Sequence, residues 1–210
     1  MTAPAATPGP LVALVDSGGT NIASVKFALE RLGFASELTA DAETIQRADA
    51  VILPGVGAAG AGMRRLHDAG LVPVLRGLRQ PLLGVCLGMQ LLFEASAEDG
   101  GVDCLGLFPG VVGPINRGPG VRVPHMGWNT LRVLRDDPLT RALMPGDRAY
   151  FVHSYAAPVT EHTLVSTWHG QDYAALVRNC NRWGAQFHPE RSGGVGAAIL
   201  AHFVAEARHD

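Results

Sequence analysis

Apolar residues follow two textures along the chain. Up to about residue 105, short unbroken apolar runs alternate with stretches in which apolar side chains recur every three or four residues. Leu11 to Val15 is such a run, the pattern of a strand buried on both faces, and a Gly-rich turn with Asn21 follows it. Val25, Ala28, Leu29 and Leu32 then recur at helical spacing, and Gly33 stands where a helix closes on a left-handed residue. Asp49 to Leu53 predicts another buried strand, ended by Pro54-Gly55-Val56-Gly57 and followed by a helix through Met63, Leu66 and Ala69. Leu82 to Val85 repeats the plan, with a helix from about Gly88 to Ala95. Strands alternating with helices imply right-handed crossovers and a parallel sheet covered on both faces.

Later the texture turns β-rich, in Val121 to Val133, Ala149 to Tyr155, Leu164 to Trp168, Tyr173 to Val177 and Gly184 to Phe187. These segments predict an antiparallel extension. A final helix, Val195 to Ala207, carries an apolar stripe suited to packing on the sheet. The expected fold class is α/β: a mostly parallel sheet flanked by helices, with an antiparallel extension. Residues 1–10 read as a disordered tail and 11–210 as one domain.

Composition narrows the function. With 47% apolar residues the chain can bury a real core, and with 17% charged residues and a net charge of −2 it lacks the basic surplus of a nucleic-acid or anionic-membrane binder. The start, MTAPAATPGP, is no secretory signal, and no apolar run approaches the roughly 18 residues of a membrane span. A soluble, cytoplasmic protein working on a small molecule or with a protein partner is expected. Cys86, Cys104 and Cys180 are an odd, widely spaced set, which argues against a disulfide framework and offers no CxxC pair.

The chemistry concentrates at two places. Gly84-Val85-Cys86-Leu87-Gly88 joins a predicted buried strand to a predicted helix, the setting of a nucleophile elbow with cysteine in place of serine. A sharp turn crowds its neighbours, so glycine is needed on both sides, and the start of a helix favours negative charge. An arbitrary cysteine is a small buried hydrophobe, but the paired glycines in this context point to a nucleophile. A thiol also needs a proton carrier. Among eight histidines, His188 sits in a local pattern, Gln186-Phe187-His188-Pro189-Glu190, at a predicted strand end. Pro189 disfavours helix at His188, and Glu190, two residues on, can then accept a hydrogen bond from the imidazole. The elbow offers the Leu87 N–H as one oxyanion donor, and the Gly-rich turn at Val56 can present a second. His162 and His169 read as solvated strand ends. With no HExxH or closely spaced Cys/His cluster, neither a metal nor a cofactor is expected. Read from the residues alone, the elbow also fits a stand-alone cysteine hydrolase, or a redox or chaperone protein on a flavodoxin-like fold.

PGVG, GVCLGMQLLFE and QFHPE, in this order, resemble the class I, triad-type glutamine amidotransferases, from about Leu11 to the last helix. The resemblance implies their flavodoxin-like fold, a Cys86, His188, Glu190 triad, an oxyanion hole at Val56 and Leu87, and glutamine held near Gly57, Gln90, Glu98, Ser154 and Tyr155. Glu98 suits the substrate's ammonium and Gln90 its polar ends. Tyr150 to Tyr155 and the string Pro124-His125-Met126-Gly127-Trp128-Asn129 are similar to those members of the family that pair with a (β/α)₈-barrel cyclase as a heterodimer. That likeness implies partner contacts at Asn21, Pro124, Met126, Trp128 and Arg191. The chain departs from the family at Ser17-Gly18-Gly19-Thr20, and Arg191 stands where lysine is common, presenting a planar fork instead of a point charge.

Overall fold

β1 (Leu11–Val15) is apolar throughout because helices cover both its faces. Val12 and Leu14 enter one core, while Ala13 and Val15 enter the other, as alternation along a strand requires. The computed structural model describes residues 9–16 and 22–207. The turn with Asn21 and most of the expected tail lie outside those residues. After α1 (Ile22–Arg31), the chain turns at Gly33, whose φ is +80°. It then forms β2 (Ala35–Thr39) and α2 (Ala42–Arg47). β3 (Ala50–Gly55), α3 (Ala59–Asp68), α4 (Leu71–Gly77), β4 (Leu82–Cys86) and α5 (Leu87–Leu91) complete the alternating part.

The expected helix from Gly88 to Ala95 is therefore too long. It stops at Leu91, and Phe93–Ser96 is a strand, β5. The cause is tertiary: the carbonyls of Leu91, Leu92 and Phe93 are taken by backbone N–H groups of residues 105–108, so they cannot continue an α-helix. β6 (Val102–Asp103), β7 (Phe108–Pro114), β8 (His125–Thr130), β9 (Arg132–Val133), β10 (Arg148–His153) and β11 (Tyr155–Ala156) follow. β12 (Thr163–Trp168), β13 (Asp172–Asn179), β14 (Arg182–Ala185) and α6 (Gly193–Glu206) end the described chain.

The main sheet has the order β2-β1-β3-β4-β14-β13-β12-β9. Pairing is parallel from β2 through β14 and antiparallel beyond. The fold is thus α/β, mostly parallel, with the antiparallel extension the sequence predicts. One detail differs: the segment from Gly184 is the seam and not part of the extension, since β14 lies parallel to β4 on one side and antiparallel to β13 on the other. α1 and α6 pack on one face and α2 to α5 on the other. Two small sheets, β10-β8 and β11-β7-β5-β6, stand apart from the main one. With β14 as fifth strand, the parallel order is that of the flavodoxin-like folds, whose ligands sit beyond the carboxyl ends of the strands.

Candidate active site

Three carboxyl ends meet at one place, those of β3, β4 and β14. Gly55 pairs with Cys86 across β3 and β4, and Ala185 pairs with Val85 across β14 and β4. Cys86 is the hinge between β4 and α5, with φ 55° and ψ −111°. A non-glycine residue in that region carries about 1–3 kcal/mol of strain, held by its surroundings. Those surroundings are tight: a Cβ on Gly88 would stand 1.8 Å from the Leu53 carbonyl oxygen, and one on Gly84 would stand 2.6 Å from that of Gly88. Backbone packs on backbone, and no side chain fits between. Because α5 has only five residues, its dipole is weaker than the longer expected helix would supply.

His188 is fixed from both sides of its backbone. Its N–H donates to the Tyr150 carbonyl at 2.9 Å, and its own carbonyl accepts from Ser192 Oγ at 2.7 Å. Pro189 opens a short 3₁₀ turn, Pro189–Arg191, that swings Glu190 back under the ring. Nδ1–H of His188 donates to Glu190 Oε1 at 2.8 Å, with both side chains almost wholly buried. Cys86 acts on the imidazole electrostatically. Burial is the largest influence on His188 and pushes its pKa down, but the hydrogen bonds and charges of Cys86 and Glu190 together lift it to about 10. The ring is therefore an imidazolium at neutral pH, a proton donor facing a sulfur.

A cavity of about 440 Å³ opens over this pair. Val56 and Gly57 line it from the turn after β3, and Leu87 and Gln90 line it from α5. Ser154 and Tyr155 form another wall, and Glu98 and Arg191 complete it. Glu98 is also tied into the scaffold, since Oε2 accepts from the Ala59 N–H at 2.6 Å at the start of α3. Glu190 stands behind His188 and does not itself line the cavity. Pro124, Met126 and Trp128 lie elsewhere, exposed on and beside β8, with Met126 63% exposed and Trp128 49%. Arg191 belongs to both regions: it lines the cavity, and its guanidinium lies over the Tyr150 ring, 5.0 Å from the centroid.

Some members of the site carried no role in the sequence reading. Gln186, fully buried, directs Nε2 toward Cys86 Sγ at 3.9 Å and accepts from Gln90 Nε2 at 2.9 Å. Its place in QFHPE, two residues before His188 and so on the same side of an extended chain, was the available signal. His153 lines the cavity and pairs with His125. His169 is not a solvated strand end, because it stacks on His125 at 4.1 Å and donates to the Arg122 carbonyl. His162 is half-buried, edge-on to Phe108. The other cysteines sit far from this chemistry: Cys104 is buried, which, with the Asp103 charge, pushes its thiol up to about 11, and Cys180 is exposed.

Residues 13–207 match the glutamine amidotransferase class-I family. The imidazole glycerol phosphate synthase subunits HisH of Xanthomonas axonopodis pv. citri (strain 306) and Xylella fastidiosa (strain Temecula1) are 55% and 52% identical to the chain. Both matches run over 193 residues, 92% of this chain and 96% of each relative. The chain belongs to the class-I glutamine amidotransferases and, within them, to the HisH family. Solved structures agree on the fold of this amidotransferase. A glutamine amidotransferase superposes with a TM-score of 0.73 at 21% identity, covering 94% of this chain and 98% of the other. PurLQS from Thermotoga maritima gives 0.69 at 21% identity with the same coverage. Among the described residues of the amidotransferase, no helix is long and apolar enough to cross a membrane.

Proposed function

We propose that this amidotransferase hydrolyses glutamine to glutamate and ammonia with Cys86, His188 and Glu190, and passes the ammonia to the (β/α)₈-barrel cyclase subunit of imidazole glycerol phosphate synthase in a heterodimer. The observation that carries the reading is that Cys86 and His188 line one cavity while the His188 ring is held from behind by the buried Glu190 carboxylate at 2.8 Å. Cys86 Sγ attacks the side-chain carboxamide carbon, and the oxyanion meets the backbone N–H groups of Leu87 and Val56. His188 gives its proton to the leaving nitrogen, so ammonia departs and a glutamyl thioester remains. Water, deprotonated by the now neutral His188, then hydrolyses the thioester, which expels the Cys86 thiolate and leaves the imidazolium restored. Gln186 Nε2, near the sulfur, supports the anionic form of the nucleophile.

Glutamine fits the cavity's chemistry. Glu98 and Gln90 suit its ammonium, backbone groups at Gly57 and Ser154 suit its carboxylate, and the Tyr155 carbonyl holds the Gln90 amide. The partner is supported by the printed names of the relatives and by the exposed Met126 and Trp128, large apolar side chains on one strand. Pro124, Arg191 and Asn21, the last outside the described residues, are assigned to the same interface. There the cyclase combines the ammonia with its nucleotide substrate to give imidazole glycerol phosphate and an aminoimidazole carboxamide ribonucleotide, a step of histidine biosynthesis in the cytoplasm. No cofactor is assigned to the amidotransferase.

An electrophilic glutamine analogue tests the assignment. Mass spectrometry of the treated protein is expected to find Cys86 modified and Cys104 and Cys180 untouched, because one is buried with its thiol protonated and the other has no histidine partner assigned to it. Modification of Cys180 or Cys104 in place of Cys86 would remove the nucleophile.

A further inference from the structure

Behind the cavity wall runs a hydrogen-bond chain whose direction is set at both ends. Asn129 cannot flip, because its Oδ1 accepts from the Thr130 N–H at 2.8 Å while Nδ2 donates to the Trp168 carbonyl at 2.8 Å. The same Nδ2 reaches His125 Nε2 at 3.0 Å, so that nitrogen accepts. At the other end the Tyr155 carbonyl, which only accepts, takes His153 Nδ1–H at 2.8 Å. Between the rings, His125 Nδ1–H donates to His153 Nε2 at 3.0 Å. Every proton in the chain points from Asn129 toward Tyr155.

That chain ends on an atom the cavity uses. The Tyr155 carbonyl also accepts from Gln90 Nε2 at 2.8 Å, and the second Nε2 hydrogen goes to Gln186. Both amide hydrogens of Gln90 are directed inward, which leaves its Oε1, an acceptor, as the amide atom for a ligand in the cavity it lines. Together with the Glu98 carboxylate on the same cavity, this makes two acceptors suited to one ammonium group. We propose that His125 and His153 are positioning residues for the substrate's α-ammonium, holding the Tyr155 peptide and the Gln90 amide so that the cavity presents acceptors and not donors. The inference rests on glutamine being the substrate.

Neutral rings are required, since a second proton on His153 would set two N–H groups against each other. Burial first, and neighbouring histidine charges after it, lower His125 to about 3 and His153 to about 4, outweighing the bond from His153 to the Tyr155 carbonyl. Phe151 stacks on His125 from one side and His169 from the other, so the His125 ring has no room to turn.

The test compares glutamine with glutaramate, which keeps the carboxamide and carboxylate but lacks the ammonium, using the amidotransferase together with its synthase partner. His153→Phe, which removes both ring nitrogens, is expected to lower kcat/KM for glutamine about tenfold, mainly through KM, and to leave glutaramate within about twofold. His153→Asn, whose amide stands near the Nδ1 position, is expected to recover most of that loss. Asn129→Leu, outside the cavity, is expected to act in the same direction by about threefold. If His153→Phe lowers both substrates equally, or if Asn129→Leu leaves the ratio unchanged, the inference is overturned. Should His153→Phe show no cooperative urea unfolding and so not be folded, Asn129→Leu decides by the same ratio. A wild-type complex that turns over no glutamine would overturn the substrate reading and this one with it.

Discussion

At His188 three influences compete. Burial favours the neutral ring, while the hydrogen bonds and charges of Cys86 and Glu190 favour the imidazolium, and the pair prevails with a pKa of about 10. An imidazolium suits the first half of the proposed reaction, in which a proton must reach the departing nitrogen. His188→Asn and Glu190→Gln therefore differ in kind. Loss of the histidine removes the proton carrier, and its glutaminase rate is expected to fall at least about tenfold further than that of Glu190→Gln, which loses orientation and charge support. The alkaline limb separates the two roles of Glu190 more finely. In wild type the limb is expected to extend toward pH 10, and in Glu190→Gln to move to lower pH, because one cause of the raised value is gone. Profiles of kcat/KM against pH that coincide would contradict this account of the ring.

At the scale of elements, the elbow depends on what glycine omits. Gly88→Ala would drive a methyl group into the Leu53 carbonyl, a backbone atom that cannot rotate away. Its expected loss of stability, read from urea unfolding, is about 3 kcal/mol, at the upper end for overpacking, and a variant as stable as wild type would show that the two backbones are not so tightly apposed. The elbow was legible in the sequence because glycines at fixed spacing leave a direct trace. So were the buried strands β1, β3 and β4, whose unbroken apolar runs record two covered faces. Other elements left weaker traces. β2 is an edge strand with no fully buried residue, so Ala35–Thr39 has no apolar run to betray it. α2 is held by Asp41, whose side chain accepts from the Thr44 N–H at 2.7 Å, and only Ile45 is buried. α4 hides a proline, Pro73, within its first turn, where no intrahelical N–H is lost. The strand that ends α5 is dictated by partners at residues 105–108, which no local pattern contains. The same holds in the cavity: a motif points to Cys86 and His188, whereas the pairing of His125 with His153 depends on the register of β8 against β10.

For the whole molecule, the histidines couple chemistry to stability with opposite signs. His125 and His153 have lowered values, so between about 4 and 6.5 the unfolded chain binds more protons than the fold. The stability this represents is present above 6.5 and is lost as pH falls through about 4 and about 3. His188 has a raised value, and its contribution is full below 6.5 and lost as pH rises through about 10. The three together favour a maximum near pH 6.5, expected in urea midpoints measured across pH, with a shallower acid limb in His125→Phe. Acid limbs of equal slope would contradict the buried neutral pair. The central claim concerns how the parts divide the work: this chain supplies ammonia, and its partner uses it. The most direct measurement is synthesis by the assembled complex carrying Cys86→Ala, driven either by glutamine or by an added ammonium salt. Synthesis from glutamine is expected to vanish while synthesis from ammonium stays near the wild-type rate, because only the donor half-reaction needs the thiol. Glutamine-driven synthesis that survives the substitution would contradict the account.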